Sequence, residues 1–269
     1  KQPAVLMPFV AKRAFDWDAC DVTPDWGLRD VPAGHALPLC NTLHCSSCGH
    51  VFLDMRFDAD EMSRLYHDYR GPAYEALREK SEPGYLARNR RLICGDSHLP
   101  AVEAFLRSWV PAQPTVLDWG GDTGLNTPFR QQARIHHILD ISSKALVDGA
   151  EAVTENTLTP LGYDIVVLSN VLEHIPEPGE LLSRVVRAMH PMTQLYIEVP
   201  FELLMRAAER DPGAWRQKHH WHEHINFYSE DSLRCLLKEA KLKVNALSKM
   251  DIGNSELASI QICVICQRI

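Results

Sequence analysis

VLDWGGDTG, residues 116–124, decides the fold. An apolar run ends in a turn holding Gly120, Gly121 and Gly124, where missing side chains let backbone N–H groups approach a ligand and permit positive φ. Such a turn binds something small. A dinucleotide fingerprint needs G-x-G-x-x-G, but Asp122 and Leu125 occupy its second and third glycine positions, so hydride transfer is the weaker reading. Asp140, in ILDIS at the end of the next strand, stands 20 positions after Gly120, the spacing of a carboxylate that accepts both ribose hydroxyls. Asp118, ahead of the glycines, suits either a cationic ligand nearby or the ordering of the turn.

Outward from this turn the chain alternates strands and helices. PTVLDW is followed by a predicted helix after Asn126, then IHHILDI, a helix from Ser143, IVVLSN, a helix over Pro178 to Met189, and QLYIEV. Runs such as IVVL, apolar on successive positions, fit parallel strands buried on both faces. Ser229 is a predicted N-cap ahead of Leu233, Leu236 and Leu237, and SIQICVICQ alternates as a last strand. The expectation is an α/β sheet with right-handed crossovers and helices on both faces. Before it, DEMSRLYHDY places Met62, Leu65, Tyr66 and Tyr69 at helical spacing, and a second amphipathic stretch runs from about Tyr85 to Val110. Residues 1–58 lack that periodicity and read as a small lobe; residues 59–269 read as the main domain with its lead-in helices.

Composition narrows the partners. With 28 lysines and arginines against 35 acids, the net charge of −7 argues against a protein held to a phosphate backbone, so nucleic acid is excluded as the main partner. Ala4 to Ala11 is interrupted by Pro8 and is far shorter than the ~20 residues of a membrane helix. The expected compartment is the cytoplasm. Eight cysteines, at 20, 40, 45, 48, 94, 235, 263 and 266, crowd toward the amino terminus and suit a metal site better than a disulfide framework. In LCNTLHCSSCGH, Cys45 and Cys48 form a C-x2-C knuckle before a glycine, and Cys40 with Cys20 would complete a tetrahedral zinc site. Reduced, metal-free buried cysteines are the alternative. Cys263 and Cys266 lie in an alternating strand and point to opposite faces, which argues against a metal there.

Chemistry is expected at two places. VLEHIPEP, 171–178, follows a parallel strand, so Glu173 and His174 belong at its carboxyl end beside the ligand crevice. KHHWHEHINFYS, 218–229, gathers His219, His220, His222, Glu223 and His224. Histidine takes a proton near neutral pH, which fits general base catalysis. A rival reading makes His220, His222 and His224 metal ligands, since alternate residues of an extended segment share a face.

Asp118, Gly120, Asp122 in place of a middle glycine, and Gly124 resemble the first motif of the class I S-adenosylmethionine-dependent methyltransferases, and the resemblance covers roughly residues 85–269. It implies a seven-stranded, mostly parallel Rossmann-like sheet, S-adenosyl-L-methionine against Asp118, Gly120, Gly121, Asp122 and Gly124, ribose on Asp140, and contacts near the sulfonium at Ser169 and Asn170. His174 together with Trp221-His222-Glu223-His224 narrows the resemblance to the zinc-containing sugar C-methyltransferases, which pair such a histidine with a Tyr-His-Glu-His tract. Trp221 replaces the tyrosine that serves as base there, and an indole cannot deprotonate an acceptor. Thr23 stands where the family has a second cysteine after Cys20, and the family's large carboxy-terminal domain is lacking. By resemblance the acceptor is a nucleotide-linked or otherwise activated sugar held between the lobes. His174, His222, Glu223 and His224 would be its catalytic groups, with Tyr66, Tyr69, Arg70 and Trp221 around it and structural Zn2+ on Cys20, Cys40, Cys45 and Cys48. An O- or N-methyltransferase acting on another metabolite, or a catalytically silent binding module of the same fold, are the alternatives.

Overall fold

The computed structural model describes residues 2–8, 20–22, 34–36, 39–67, 69, 71–81, 84–87, 98–142, 144–158, 162–211, 213–214, 224–252 and 259–269, with side chains from Cys40 onward. Its centre is a seven-stranded sheet. Strands β6 (Thr115–Trp119), β7 (Ile135–Leu139), β8 (Glu151–Ala152), β9 (Ile165–Ser169) and β10 (Gln194–Pro200) are parallel. Strand β13 (Ile260–Arg268) runs antiparallel to β10 and to the edge strand β12 (Leu242–Asp251), giving the order β12-β13-β10-β9-β6-β7-β8. The order reverses between β6 and β9, so the crevice of this doubly wound sheet opens beyond their carboxyl ends, at Gly120 and Asn170.

Alternation along each strand builds two core layers. Leu117, Val166, Leu168, Leu195, Ile197 and Cys266 face one side, in one core with α4 (Pro178–Ala188), α5 (Leu203–Ala208) and α6 (Glu230–Glu239). Val116, Ile165, Val167, Tyr196 and Cys263 face the other, with Val102 and Leu106 of α3 (Leu99–Leu106). Cys263 and Cys266 thus pack in opposite layers, as their spacing predicts. Ser229 caps α6: its Oγ accepts the Ser232 N–H at 3.1 Å while Ser232 Oγ accepts the Ser229 N–H at 2.8 Å.

Ahead of the sheet, α1 (Ala59–His67) starts at a second reciprocal cap, in which Asp58 Oδ1 accepts the Glu61 N–H at 2.8 Å and Glu61 Oε2 accepts the Asp58 N–H at 2.9 Å. It is followed by α2 (Pro72–Ser81). The amino-terminal residues form strands: β1 (Gln2–Pro8), β4 (Leu39–His44) and β5 (Val51–Leu53) lie in one sheet, and β2 (Cys20–Val22) pairs with β3 (Gly34–Ala36). A late segment completes the larger sheet. β11 (Asn226–Phe227) pairs with β5, Asn226 opposite Phe52 and Phe227 opposite Val51.

Two predicted helices are absent. After Asn126 the chain makes turns, because Phe129 adopts φ +62°, buries its ring completely and donates its N–H to Glu103 Oε1 at 2.7 Å. From Lys144 to Ala150 the chain runs back across the glycine turn, with the Val147 N–H donating to the Thr123 carbonyl at 2.9 Å; Ser143 lies outside the described residues. The predicted stretch from Tyr85 to Val110 is helical over Tyr85–Ala87 and in α3, with residues 88–97 outside the description.

Candidate active site

At the switch point the glycine turn is tightly determined. Gly120 has φ +85°, and a Cβ on it would lie 2.6 Å from Val171 Cγ2; Gly124 has φ +79° against His136 and Ile138. Asp122 also adopts positive φ, 51°, the region that Asp tolerates better than most residues, so it does the work of the missing glycine. Asp140 binds the turn from the end of β7. Its Oδ2 accepts the Asp122 N–H at 2.8 Å and its Oδ1 accepts the Ser142 N–H at 2.6 Å, leaving a lone pair on each oxygen for a further donor. Lys144 reaches back to Asp122, with Nζ 3.0 Å from Oδ1, and lies over the Tyr69 ring at 5.6 Å.

Asp118 sits beneath this turn. Its Oδ2 accepts the Thr127 hydroxyl at 2.6 Å, and its buried Oδ1 has no hydrogen-bond partner. Burial pushes its carboxyl up to about 7; the Thr127 bond opposes that and the charges of Asp140 and Glu198 add to it. Beside it, Asn170 takes φ +53°, held by its N–H on the Glu198 carbonyl at 2.9 Å and its Nδ2 on Glu198 Oε1 at 3.1 Å. Glu198 also receives the Tyr196 hydroxyl at 2.7 Å and lies 2.8 Å from His98 Nε2. Burial alone would raise Glu198, but these partners hold it below the usual carboxylate range.

The second part of the site is assembled by backbone. Both Ile225 and Asn226 donate their N–H groups to the Glu173 carbonyl, at 2.8 and 3.0 Å. Asn226 Nδ2 adds bonds to the Leu172 and Ile175 carbonyls, 3.0 and 2.7 Å, and Arg56 donates to the Pro176 carbonyl. This clamp brings residues 50 apart in sequence, His174 and His224, to a ring-centroid separation of 4.7 Å at 77°. His224 Nδ1 lies 2.7 Å from Glu202 Oε1. Glu173, 1% exposed, is pushed up to about 7 by burial, opposed by His224 and reinforced by Glu198 and Glu202. Tyr66 of α1 presents its ring edge-on to His174, centroids 6.1 Å apart, and continues into Tyr69 at 4.9 Å. Since Tyr69 carries Lys144 and Val171 abuts Gly120, the glycine turn and the histidine pair border one crevice.

The methyltransferase-domain family matches residues 85–247, more than half of the chain. The chain belongs to the class I S-adenosylmethionine-dependent methyltransferases. Its fold is that of the 1,6-didemethyltoxoflavin-N1-methyltransferase of Burkholderia thailandensis, solved with 1,6-didemethyltoxoflavin and S-adenosylhomocysteine (TM-score 0.52, 16% identity, 84% of this chain and 98% of that one). The magnesium protoporphyrin IX methyltransferase of Synechocystis PCC 6803, solved with bound SAH, is similar to a like degree (TM-score 0.50, 15% identity, 79% and 100%). Such identities speak for the fold alone. No curated protein matches the sequence.

In this methyltransferase, Asp118, Gly120, Gly121, Asp122, Gly124, Asp140, Ser169 and Asn170 gather at the switch point, and His174 and His224 meet beside Tyr66. Arg70, Trp221, His222 and Glu223 lie outside the described residues, as does the side chain of Cys20. Cys45 and Cys48 are joined by a hydrogen bond, but Cys40 does not join them: among the described residues no three cysteines converge. Its thiol is buried in β4 and pushed up to about 12 by desolvation, with the Asp54 charge adding to it. Sequence reasoning missed Glu202, Glu198 and His98. An acid inside the apolar run QLYIEVP was the available signal for Glu198; Glu202 announces itself only by following a parallel strand.

One consequence of the turn is testable by folding alone. A Cβ on Gly121 would lie 2.6 Å from Asp118 Cγ and Oδ2, and Asp118 is pinned by Thr127. Gly121→Ala is therefore expected to cost about 1–3 kcal/mol, lowering Tm by about 3–10 °C in thermal unfolding. An unchanged Tm would show that the turn is slack.

Proposed function

We propose that the methyltransferase binds S-adenosylmethionine over the glycine turn and transfers its methyl group to a small acceptor facing His174 and His224. The ribose lies on Asp140, the cofactor's methionine end on Gly120, Gly121 and Gly124 with Asp118 beneath, and the sulfonium near Ser169 and Asn170. The observation that carries this is the Asp140 carboxylate, fixed by two N–H groups and still able to accept two hydroxyls at the switch point. Ile141, 61% exposed and next in sequence, offers apolar surface to a base attached to that ribose. Acceptor deprotonation falls to the histidine and carboxylate tract, with His222 and Glu223 completing His174 and His224, and with Tyr66, Tyr69, Arg70 and Trp221 holding the acceptor. A nucleotide-linked or otherwise activated sugar is the acceptor class we favour, supported by the motif resemblance alone. Labelled-methyl transfer to a panel of nucleotide sugars tests it; turnover only with unrelated hydroxyl or amine metabolites overturns the sugar, and cofactor binding with no turnover on any acceptor favours a silent module.

Asp118 gives the cofactor site a pH signature. A cation above the turn favours the ionised form, so ligand binding draws off a proton. With the carboxyl near 7, S-adenosylhomocysteine affinity is expected to weaken by up to about tenfold for each pH unit below that value and to level off above it. Asp118→Asn should flatten the profile in calorimetry. Without ligand the sign reverses: a carboxyl raised from its usual 3.8 costs stability as pH climbs toward 7, and the Asn variant loses that decline. A sloped affinity profile that survives in Asp118→Asn would assign the titration elsewhere.

Residues 1–58 we take as a small lobe in which a structural zinc ion rests on Cys45 and Cys48. Two observations support the knuckle. Gly49, φ +73°, donates its N–H to the Cys45 carbonyl at 2.9 Å, and backbone bonds from Cys48 and Ser47 lower the Cys45 thiol, which favours the thiolate a metal requires. Cys40 does not fit the set, so the remaining ligands come from elsewhere, Cys20 among them. Elemental analysis should find less zinc in Cys45→Ser than in the wild type, with the content of Cys40→Ser unchanged. The free thiols among the described residues accord with a reducing, cytoplasmic setting. No described helix is long and apolar enough to cross a membrane.

A further inference from the structure

Glu173 poses a problem that hydrogen bonding within the protein does not solve. Its side chain is 1% exposed, and neither Oε1 nor Oε2 has a hydrogen-bond partner. Burying a carboxylate without compensation is strongly unfavourable, and proteins resolve it by protonating the group, by pairing it or by giving it a cation. Glu173 is not remote from other donors. One ligand atom from each of Glu173, His174 and His224 falls within 4.8 Å of the other two, the one such group among the described residues. His174 Nε2 lies 3.9 Å from Glu173 Oε1.

Two imidazoles and a carboxylate are a donor set for a divalent first-row transition cation; bond lengths of about 2.0–2.2 Å need these atoms to close in by a rotamer adjustment, not by a refold. The surroundings match such a centre. His224 Nδ1 lies 2.7 Å from Glu202 Oε1, leaving Nε2 as the ligand nitrogen, and a carboxylate behind a histidine is the usual outer support of a metal-bound imidazole. The Asn226 clamp sets the spacing by holding residues 172–175 against the start of β11. Cys40, Cys45 and Cys48, the candidate zinc ligands of the amino-terminal lobe among the described residues, are thiols, which select a softer ion.

We infer that Glu173, His174 and His224 form a binding site for a divalent transition cation at the acceptor end of the crevice, with Glu202 positioning His224. Three protein ligands leave coordination positions open, the pattern of a reactive rather than a structural centre, and an acceptor oxygen bound there becomes more acidic. A nitrogen lone pair given to a metal is unavailable to a proton, so cation-bound and base forms of these rings exclude one another. The inference goes beyond the methyl-transfer reading and survives its failure, because cation binding is read without cofactor or acceptor.

The test is Co2+ titrated into the chelator-stripped full chain and followed by absorption. The expected result is a set of visible d–d bands that saturates near one equivalent, carries no sulfur-to-cobalt charge transfer, persists in Cys45→Ser, and is lost in Glu173→Gln and in His224→Ala. Glu202→Gln should retain the bands with about 10–100-fold weaker affinity. Should Glu173→Gln fail to fold, His224→Ala decides the matter, since that side chain is 35% exposed and its loss leaves the core intact. Absent bands, bands untouched by either substitution, or bands that all vanish in Cys45→Ser each overturn the site.

Discussion

Asp140→Ala is expected to weaken S-adenosylhomocysteine binding by at least about a hundredfold, roughly 3 kcal/mol, in calorimetry. Two losses combine. The substitution removes the ribose acceptor, where each hydrogen bond to a charged group contributes about 1.5–3 kcal/mol. It also releases the Asp122 and Ser142 N–H groups, bonded at 2.8 and 2.6 Å, and with them the positive-φ conformation that Asp122 needs. Asp140→Asn separates the two effects: a carboxamide oxygen can hold one N–H but offers no charge to the ribose, so affinity should fall while Tm stays near the wild-type value. If Asp140→Ala keeps affinity within about threefold, the ribose does not lie there, and the cofactor geometry proposed above loses its anchor.

How much of this was legible in the sequence follows from which interactions are local. IVVLSN and QLYIEV read as buried parallel strands because their apolar faces are written in consecutive residues, and the Ser229 cap is a three-residue relation. The glycine turn was legible for the same reason, including the aspartate that replaces a glycine at 122. The predicted helix after Asn126 failed because burial of Phe129, a tertiary fact, outweighed helix propensity. The second failed because residues 144–150 are committed to the glycine turn through Lys144 and Val147. His174 and His224 each stood out by composition, but their meeting depends on β11 completing the amino-terminal sheet and on the Asn226 clamp, which no short window contains. Glu202 escaped for that reason too: its value lies in its partner. Cys40 shows the limit of spacing: nearness in sequence to Cys45 and Cys48 did not by itself bring the three thiols together.

His224→Ala is expected to lower kcat by about 10²- to 10⁴-fold, the range of a lost general base, with cofactor affinity unchanged. The separation follows from position: His224 lies on the segment leading into β11, whereas Asp140, the proposed ribose anchor, follows β7, so a loss in both quantities would mean collapse of the crevice and not loss of a proton acceptor. His222→Ala is the necessary companion, because that ring is two residues away on the same tract and is the other candidate base; full turnover in both variants removes the tract from the chemistry. Glu202→Gln distinguishes a ring that must be oriented from one that must also be charged. Its amide keeps a neutral hydrogen bond to His224 Nδ1, now 2.7 Å from Oε1, but cannot stabilise the imidazolium formed as the acceptor loses its proton. A fall in kcat that is full at high pH and shrinks toward low pH in Glu202→Gln, because the ring is then harder to protonate, with an unaltered KM for the cofactor, ties the carboxylate to the protonated ring, whereas a uniform fall across pH leaves it only an orienting role.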